Sequence, residues 1–140
     1  MTTIEQKAYA KLNLTLDVLG KRPDGYHDIQ SVMQLISLCD DVSLDVGTGE
    51  DWKLECDQEG IPTDGTNLAW KAAGLFYQNL GKDPQGITIR LTKRIPAQAG
   101  LGGGSADAAA VLLALNRHEG SPFSQVELLK LAEKLGSDVP

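Results

Sequence analysis

The segment from Lys93 to Asn116, KRIPAQAGLGGGSADAAAVLLALN, constrains the fold more than any other: four glycines within five positions run directly into small apolar residues at helical density. Ahead of it, GITIRLT (Gly86 to Thr92) alternates, with Ile87, Ile89 and Leu91 on one face. A strand therefore delivers the chain to the glycines and a helix carries it away. Such a passage has two readings. Glycine-rich loops that open helices bind anions, because the first turn has unsatisfied N–H donors, the dipole adds partial positive charge, and bare backbone lets a phosphate come close. The alternative is a tight packing turn. Such a turn needs one or two glycines, so four favour the phosphate.

Composition narrows the class. With 140 residues, 41% apolar and 23% charged, the chain is ordinary for one globular domain. A net charge of −6 argues against broad adhesion to nucleic acid, which takes a clustered basic face. Cys39 and Cys56 form no CxxC spacing and stand far from His27 and His118, so no metal-ligand set is assigned and both thiols are expected in the core. The start, MTTIEQKAYAK, has no apolar leader core, and the longest apolar run, Ala108 to Leu115, is too short to span a bilayer. The expected setting is soluble and reducing, most simply the cytoplasm, with no membrane or nucleic-acid partner. The closing LAEKLGSDVP reads as a helix end, a turn and the approach to another element, as in a fragment.

Further strands are expected at KLNLTLDV (Lys11 to Val18), with Leu12, Leu14, Leu16 and Val18 facing one way, and at DVSLDV (Asp41 to Val46) and WKLEC (Trp52 to Cys56), read as a pair. The sheet is expected to be mostly antiparallel. Ile29 to Ile36 is apolar without a clear period, and GKRPDGYH is loop chemistry. Thr66 is placed as the cap of a helix carrying Leu68, Ala72, Leu75 and Phe76 on one face and ending near Gly81. Near the end, Ser124 and Glu127 form a capping box before a stripe of Val126, Leu129, Ala132 and Leu135.

Spacing excludes the familiar phosphate loops. No Lys follows the glycines as a Walker loop requires. The third glycine of a dinucleotide fingerprint would fall on Ser105 or Asp107, according to register. The protein-kinase loop fails in the same registers.

The stretch resembles instead the nucleotide loop of the GHMP small-molecule kinases: Pro96, three variable residues, Gly100-Leu101, then GGGSADAAA. Its triple-glycine form is similar to one branch, the 4-diphosphocytidyl-2-C-methyl-D-erythritol kinases of the non-mevalonate isoprenoid pathway. AYAKLNLTLDVLGKRPDGYHDIQSVMQ, GTNLAWKAA and LGSDVP resemble that branch's other motifs, so the likeness covers nearly the whole chain.

The resemblance implies an α+β fold of the ribosomal protein S5 domain 2-like type, with residues 1–140 as the N-terminal, ATP-binding domain and the C-terminal domain absent. It implies that Asp138 accepts a proton from a substrate hydroxyl while Lys11 keeps that carboxylate ionised. Asn13, Tyr26 and His27 are assigned to the cytidine diphosphate-linked methylerythritol substrate, Tyr26 by stacking on the base. Without the motif, Lys11 and Asp138 read equally as a surface ion pair, and Tyr26 and His27 as a core plug and a solvated loop residue. ATP, with Mg2+, falls to Pro96, Ala97, Gln98, Ala99, Gly100, Leu101, Gly102, Gly103, Gly104, Ser105 and Ala106, the Ser105 hydroxyl lying near the phosphates or the ion. Asn67 and Lys93 are placed on the adenosine side. Ala106 departs from the family's Ser-Ser pair and removes one hydroxyl. Three readings remain: the kinase just named, another GHMP kinase acting on homoserine, mevalonate or a sugar, and a non-catalytic nucleotide-binding module. The chain by itself is expected to be inactive, since a cleft with one wall missing cannot exclude water.

Overall fold

The structure is a computed structural model and describes residues 2–9, 39–95 and 103–135. The strand expected at Lys11 to Val18 lies outside these residues. Strands β1 (Thr2–Tyr9), β2 (Cys39–Val46), β3 (Lys53–Cys56) and β4 (Ile87–Thr92) form one sheet in the order β1-β2-β4-β3. The β1-β2 and β2-β4 ladders are antiparallel and β3-β4 is parallel. Three helices complete the α+β fold: α1 (Leu68–Leu80), α2 (Gly103–His118) and α3 (Gln125–Leu135).

Register puts Ile4, Leu44, Ile89 and Leu54 in one row across the sheet. This inward parity contains Ala8, Val42, Val46, Ile87 and Leu91, each nearly or fully buried. α2 packs over β1 and β2, while α1 packs chiefly on α2. Small residues make that approach possible: Ala69, Ala72 and Ala73 of α1 and Ala108, Ala110 and Ala114 of α2 are all buried. Phe76 anchors the cluster, edge-on to Tyr77 and Phe123 with ring centroids 5.2 Å apart in each pair.

Several expectations change. β2 and β3 are not paired with each other, because β4 inserts between them. Its Ile87, Thr88, Ile89 and Leu91 are all buried, as suits an inner strand, whereas β3 has only four residues and takes the edge. The parallel β3-β4 pair is reached through α1, the crossover such a pair requires. α1 is capped by Asn67, whose Oδ1 accepts from the Ala69 N–H at 2.8 Å, and not by Thr66, which bonds to Asp64. It ends at Gly81 in the left-handed region, as expected.

The Ser124–Glu127 capping box forms reciprocally, at 3.2 and 3.0 Å. The stripe behind it is rotated: Leu131 and Ala132 are buried, while Val126 and Leu129 are 62% and 46% exposed. Cys39 and Cys56 are half-buried rather than core thiols. Cys56 has inward parity and packs against the core, whereas Cys39 pairs with exposed Tyr9 on the other parity.

Candidate nucleotide site

Beyond Thr92 the chain leaves the sheet, and carboxylates replace the ladder as acceptors for its backbone. The N–H of Lys93 donates to Asp57 Oδ1 at 2.9 Å, and those of Arg94 and Ile95 donate to Asp40 Oδ1 at 2.6 and 2.9 Å. Strand parity explains the meeting. Asp40 continues the inward row Val46, Leu44, Val42, and Lys93 continues the row Ile87, Ile89, Leu91. Both therefore point under α2, where Asp107 shares the buried face of Ala108, Val111 and Leu115.

The three side chains form a closed charge cluster. Lys93 Nζ donates to Asp40 Oδ2 at 2.5 Å and to Asp107 Oδ2 at 2.7 Å, with all three side chains at most 3% exposed. Two carboxylates around one ammonium cannot both stay ionised cheaply out of water. Burial, and then the neighbouring Asp40 carboxylate, push Asp107 up to about 8, against the opposing pull of Lys93. Asp40 is also opposed by burial, but hydrogen bonds from Asp107, Ile95, Lys93 and Arg94 hold it below the usual range. Burial works against the Lys93 ammonium too, and Asp107 and Asp40 together outweigh it and raise its pKa. At neutral pH the cluster is Lys93⁺, Asp40⁻ and protonated Asp107, without net charge. Asp107 Oδ1 is buried with no partner among the described residues.

Above the cluster lies a cavity of about 270 Å³ whose wall includes Ile61, Pro62, Asn67, Lys93, Gly104 and Asp107. That volume falls just below the usual range for ligand pockets and suits a flat heterocycle rather than a whole nucleoside triphosphate. Asn67, Lys93 and Gly104, expected at the nucleotide from the sequence, thus meet on one wall. The polar atoms of Asn67 already have partners, since Nδ2 donates to the Pro62 carbonyl at 2.8 Å while Oδ1 caps α1. Gly103, Gly104, Ser105 and Ala106 make the first turn of α2, which contains no acidic residue. A Cβ placed on Gly104 would meet nothing within 4 Å, so its backbone faces open space. The N–H groups of a first helical turn, the helix dipole and a neutral Asp107 behind them suit an anion.

The other expected residues lie outside the described ones: Lys11, Asn13, Tyr26, His27, Pro96, Ala97, Gln98, Ala99, Gly100, Leu101, Gly102 and Asp138. Asp40 and Asp107 escaped the sequence reading. Their signal was an acidic residue falling on an apolar parity or helix face, where it needs a buried partner.

A larger concavity, about 470 Å³, is lined by Glu5, Lys7, Asp41 and Ser43 among others. It crosses β1 and β2 without meeting the glycine-rich end of α2.

A mixed sheet under packed helices, with a glycine-rich helix start beside a cavity, makes an α+β domain of one known class. The family described as GHMP kinases N terminal domain matches residues 67–140, and the chain belongs to it. It is 44% identical, over all of its 140 residues, to the 4-diphosphocytidyl-2-C-methyl-D-erythritol kinase of Geobacter sulfurreducens, covering 50% of that protein. Among solved structures, a 4-(cytidine 5'-diphospho)-2C-methyl-D-erythritol kinase is 31% identical with a TM-score of 0.57, over 98% of this chain and 45% of that one. The homoserine kinase of Cytophaga hutchinsonii superposes with a TM-score of 0.70 at 23% identity, over 96% of this chain and 41% of that one. At that identity the likeness speaks for the fold. The chain spans about half the length of the curated relatives it matches.

Proposed function

We propose that this protein belongs to an ATP-dependent kinase that phosphorylates the 2-hydroxyl of 4-diphosphocytidyl-2-C-methyl-D-erythritol, in the cytoplasm, on the route to isoprenoid precursors. The observation that carries the nucleotide half is the cavity on which Asn67, Lys93 and the bare start of α2 converge from distant parts of the sequence. The choice of substrate is supported by the 44% identity along the whole chain to a relative of that name.

In this reading the base lies against Ile61, Pro62 and Asn67, and the phosphates lie before the first turn of α2, where residues from Pro96 to Ala106 supply backbone donors. Bound magnesium would neutralise phosphate charge, with the Ser105 hydroxyl near the phosphates or the ion. The substrate hydroxyl oxygen bonds to the γ-phosphorus as the bond from that phosphorus to the ADP oxygen breaks. Asp138 takes the hydroxyl proton, and Lys11 keeps Asp138 ionised and stabilises the charge that develops. Asn13, Tyr26 and His27 hold the cytidine end.

The test is ADP release by the full natural polypeptide, given ATP and a panel of alcohols with and without the cytidine diphosphate group. Turnover with the cytidine diphosphate-linked alcohol alone, lost by about 10²-fold or more in Asp138→Ala, is expected. Turnover with homoserine, mevalonate or a sugar instead would replace the substrate. Full activity in Asp138→Ala would remove its role.

A further inference from the structure

The glycine-rich segment has a described approach, Lys93 to Ile95, and a described exit, the first turns of α2. Both ends run into one side-chain cluster. On the approach, Asp40 Oδ1 holds the N–H groups of Arg94 and Ile95. On the exit, Asp107 projects from α2 and is held by the Lys93 ammonium, which also donates to Asp40. β2, β4 and α2 therefore meet in one buried knot, and the separation of the two loop ends is set by Lys93 and its two acids.

We propose that Asp40, Lys93 and Asp107 act as a buckle that fixes the two ends of the glycine-rich segment to each other, making Asp40 and Asp107 positioning residues for the nucleotide. The proposal deepens the nucleotide reading above and rests on it for its ligand. Its physical basis is geometric. Phosphate contacts from backbone N–H groups are directional, so donors on the two sides of a loop serve one ligand only when their relative placement is fixed. A buried charge cluster supplies that constraint, because pulling one member away strands the others without water.

The experiment reads the two ends separately. Amide hydrogen exchange at Arg94 and Ile95 is measured in wild type, Asp107→Ala, Lys93→Met and Asp107→Asn. Asp107 bonds to neither amide, so a merely local role leaves both rates alone. The buckle predicts exchange faster by about ten-fold or more in Asp107→Ala and Lys93→Met. Asp107→Asn, which keeps an oxygen for the ammonium, should stay near wild type, as should Asp41→Ala, which removes the exposed side-chain partner of Arg94. Unchanged rates in folded Asp107→Ala and Lys93→Met would overturn the buckle. If Asp107→Ala does not fold, Lys93→Met decides alone.

Equilibrium dialysis with magnesium-ATP is the second arm. Asp107→Ala and Asp40→Ala should bind about ten-fold more weakly, with Asp107→Asn restored. Faster exchange with unchanged ATP affinity would overturn the positioning role. Absence of ATP binding by the wild-type full natural polypeptide would instead sink the nucleotide reading, while the exchange rates still decide the buckle.

Discussion

The Lys93 ammonium lies 2.7 Å from Asp107 Oδ2, joining the end of a strand to the second turn of the helix that follows the glycines. Neither residue is exposed there, and this one contact shapes both the electrostatics of the cavity and the pH response of the fold.

Stability should fall as pH rises toward and through 8. Asp107 has an ordinary value of 3.8 and a folded value of about 8, so between those limits the folded chain binds a proton that the unfolded chain does not. Its contribution is complete below the unfolded value and is lost as pH climbs through the folded one. From pH 7 to 9 the loss is on the order of 1 kcal/mol, a few degrees in melting temperature. Asp107→Asn should flatten that decline. Thermal melts of both proteins at pH 7, 8 and 9 check it, and parallel curves would contradict a proton on Asp107.

Gly86→Ala should destabilise by about 2–4 kcal/mol, seen as a lower urea midpoint at unchanged slope. Gly86 has φ +94°, and a Cβ there would stand 2.5 Å from the Glu50 carbonyl oxygen. That neighbour is backbone and cannot swing away. The Gly86 carbonyl also accepts the Gly47 N–H at 2.8 Å, so a shift would break the turn leaving β2.

Asn67→Ala should cost about 1–2 kcal/mol, since it removes the α1 cap and leaves the Pro62 carbonyl without its donor. Asn67→Asp keeps the cap oxygen and should recover about half of that in chemical denaturation. Equal losses in the two variants would mean that the cap contributes nothing.

The face of α3 can be checked by contrast. Leu131→Ala should lose about 2–4 kcal/mol, while Val126→Lys should stay within about 0.5 kcal/mol of wild type in the same melts. Leu131 is 5% exposed and Val126 is 62% exposed. The reverse result would restore the stripe expected from spacing alone.

Where local chemistry decides an element, the sequence was sufficient. β4 shows period two in its own residues, Gly81 ends α1, and Ser124 with Glu127 starts α3, because turn geometry, caps and alternation act over a few residues. β1 was not legible: Thr2 to Tyr9 has only Ile4 and Ala8 as apolar residues on its inward parity, too weak an alternation to mark a strand without the β2 ladder beside it. The pairing of β2 and β3 was misread because sequence proximity favours a hairpin. The most apolar strand, arriving after a helix, took the place between them.

The site divides in the same way. Residue order alone was enough to place bare backbone at a helix start and to exclude the Walker and dinucleotide spacings, while Asn67 and Lys93 were marked for the nucleotide side only through the family resemblance. It could not show that Asp40, 53 residues before Lys93, and Asp107, 14 after it, close on that ammonium. Each acid is unremarkable in its local stretch. Only the stacking of α2 on the inward face of the sheet removes water from all three together, and without that removal there is neither a raised Asp107 nor a cluster to hold the glycine-rich segment at both ends.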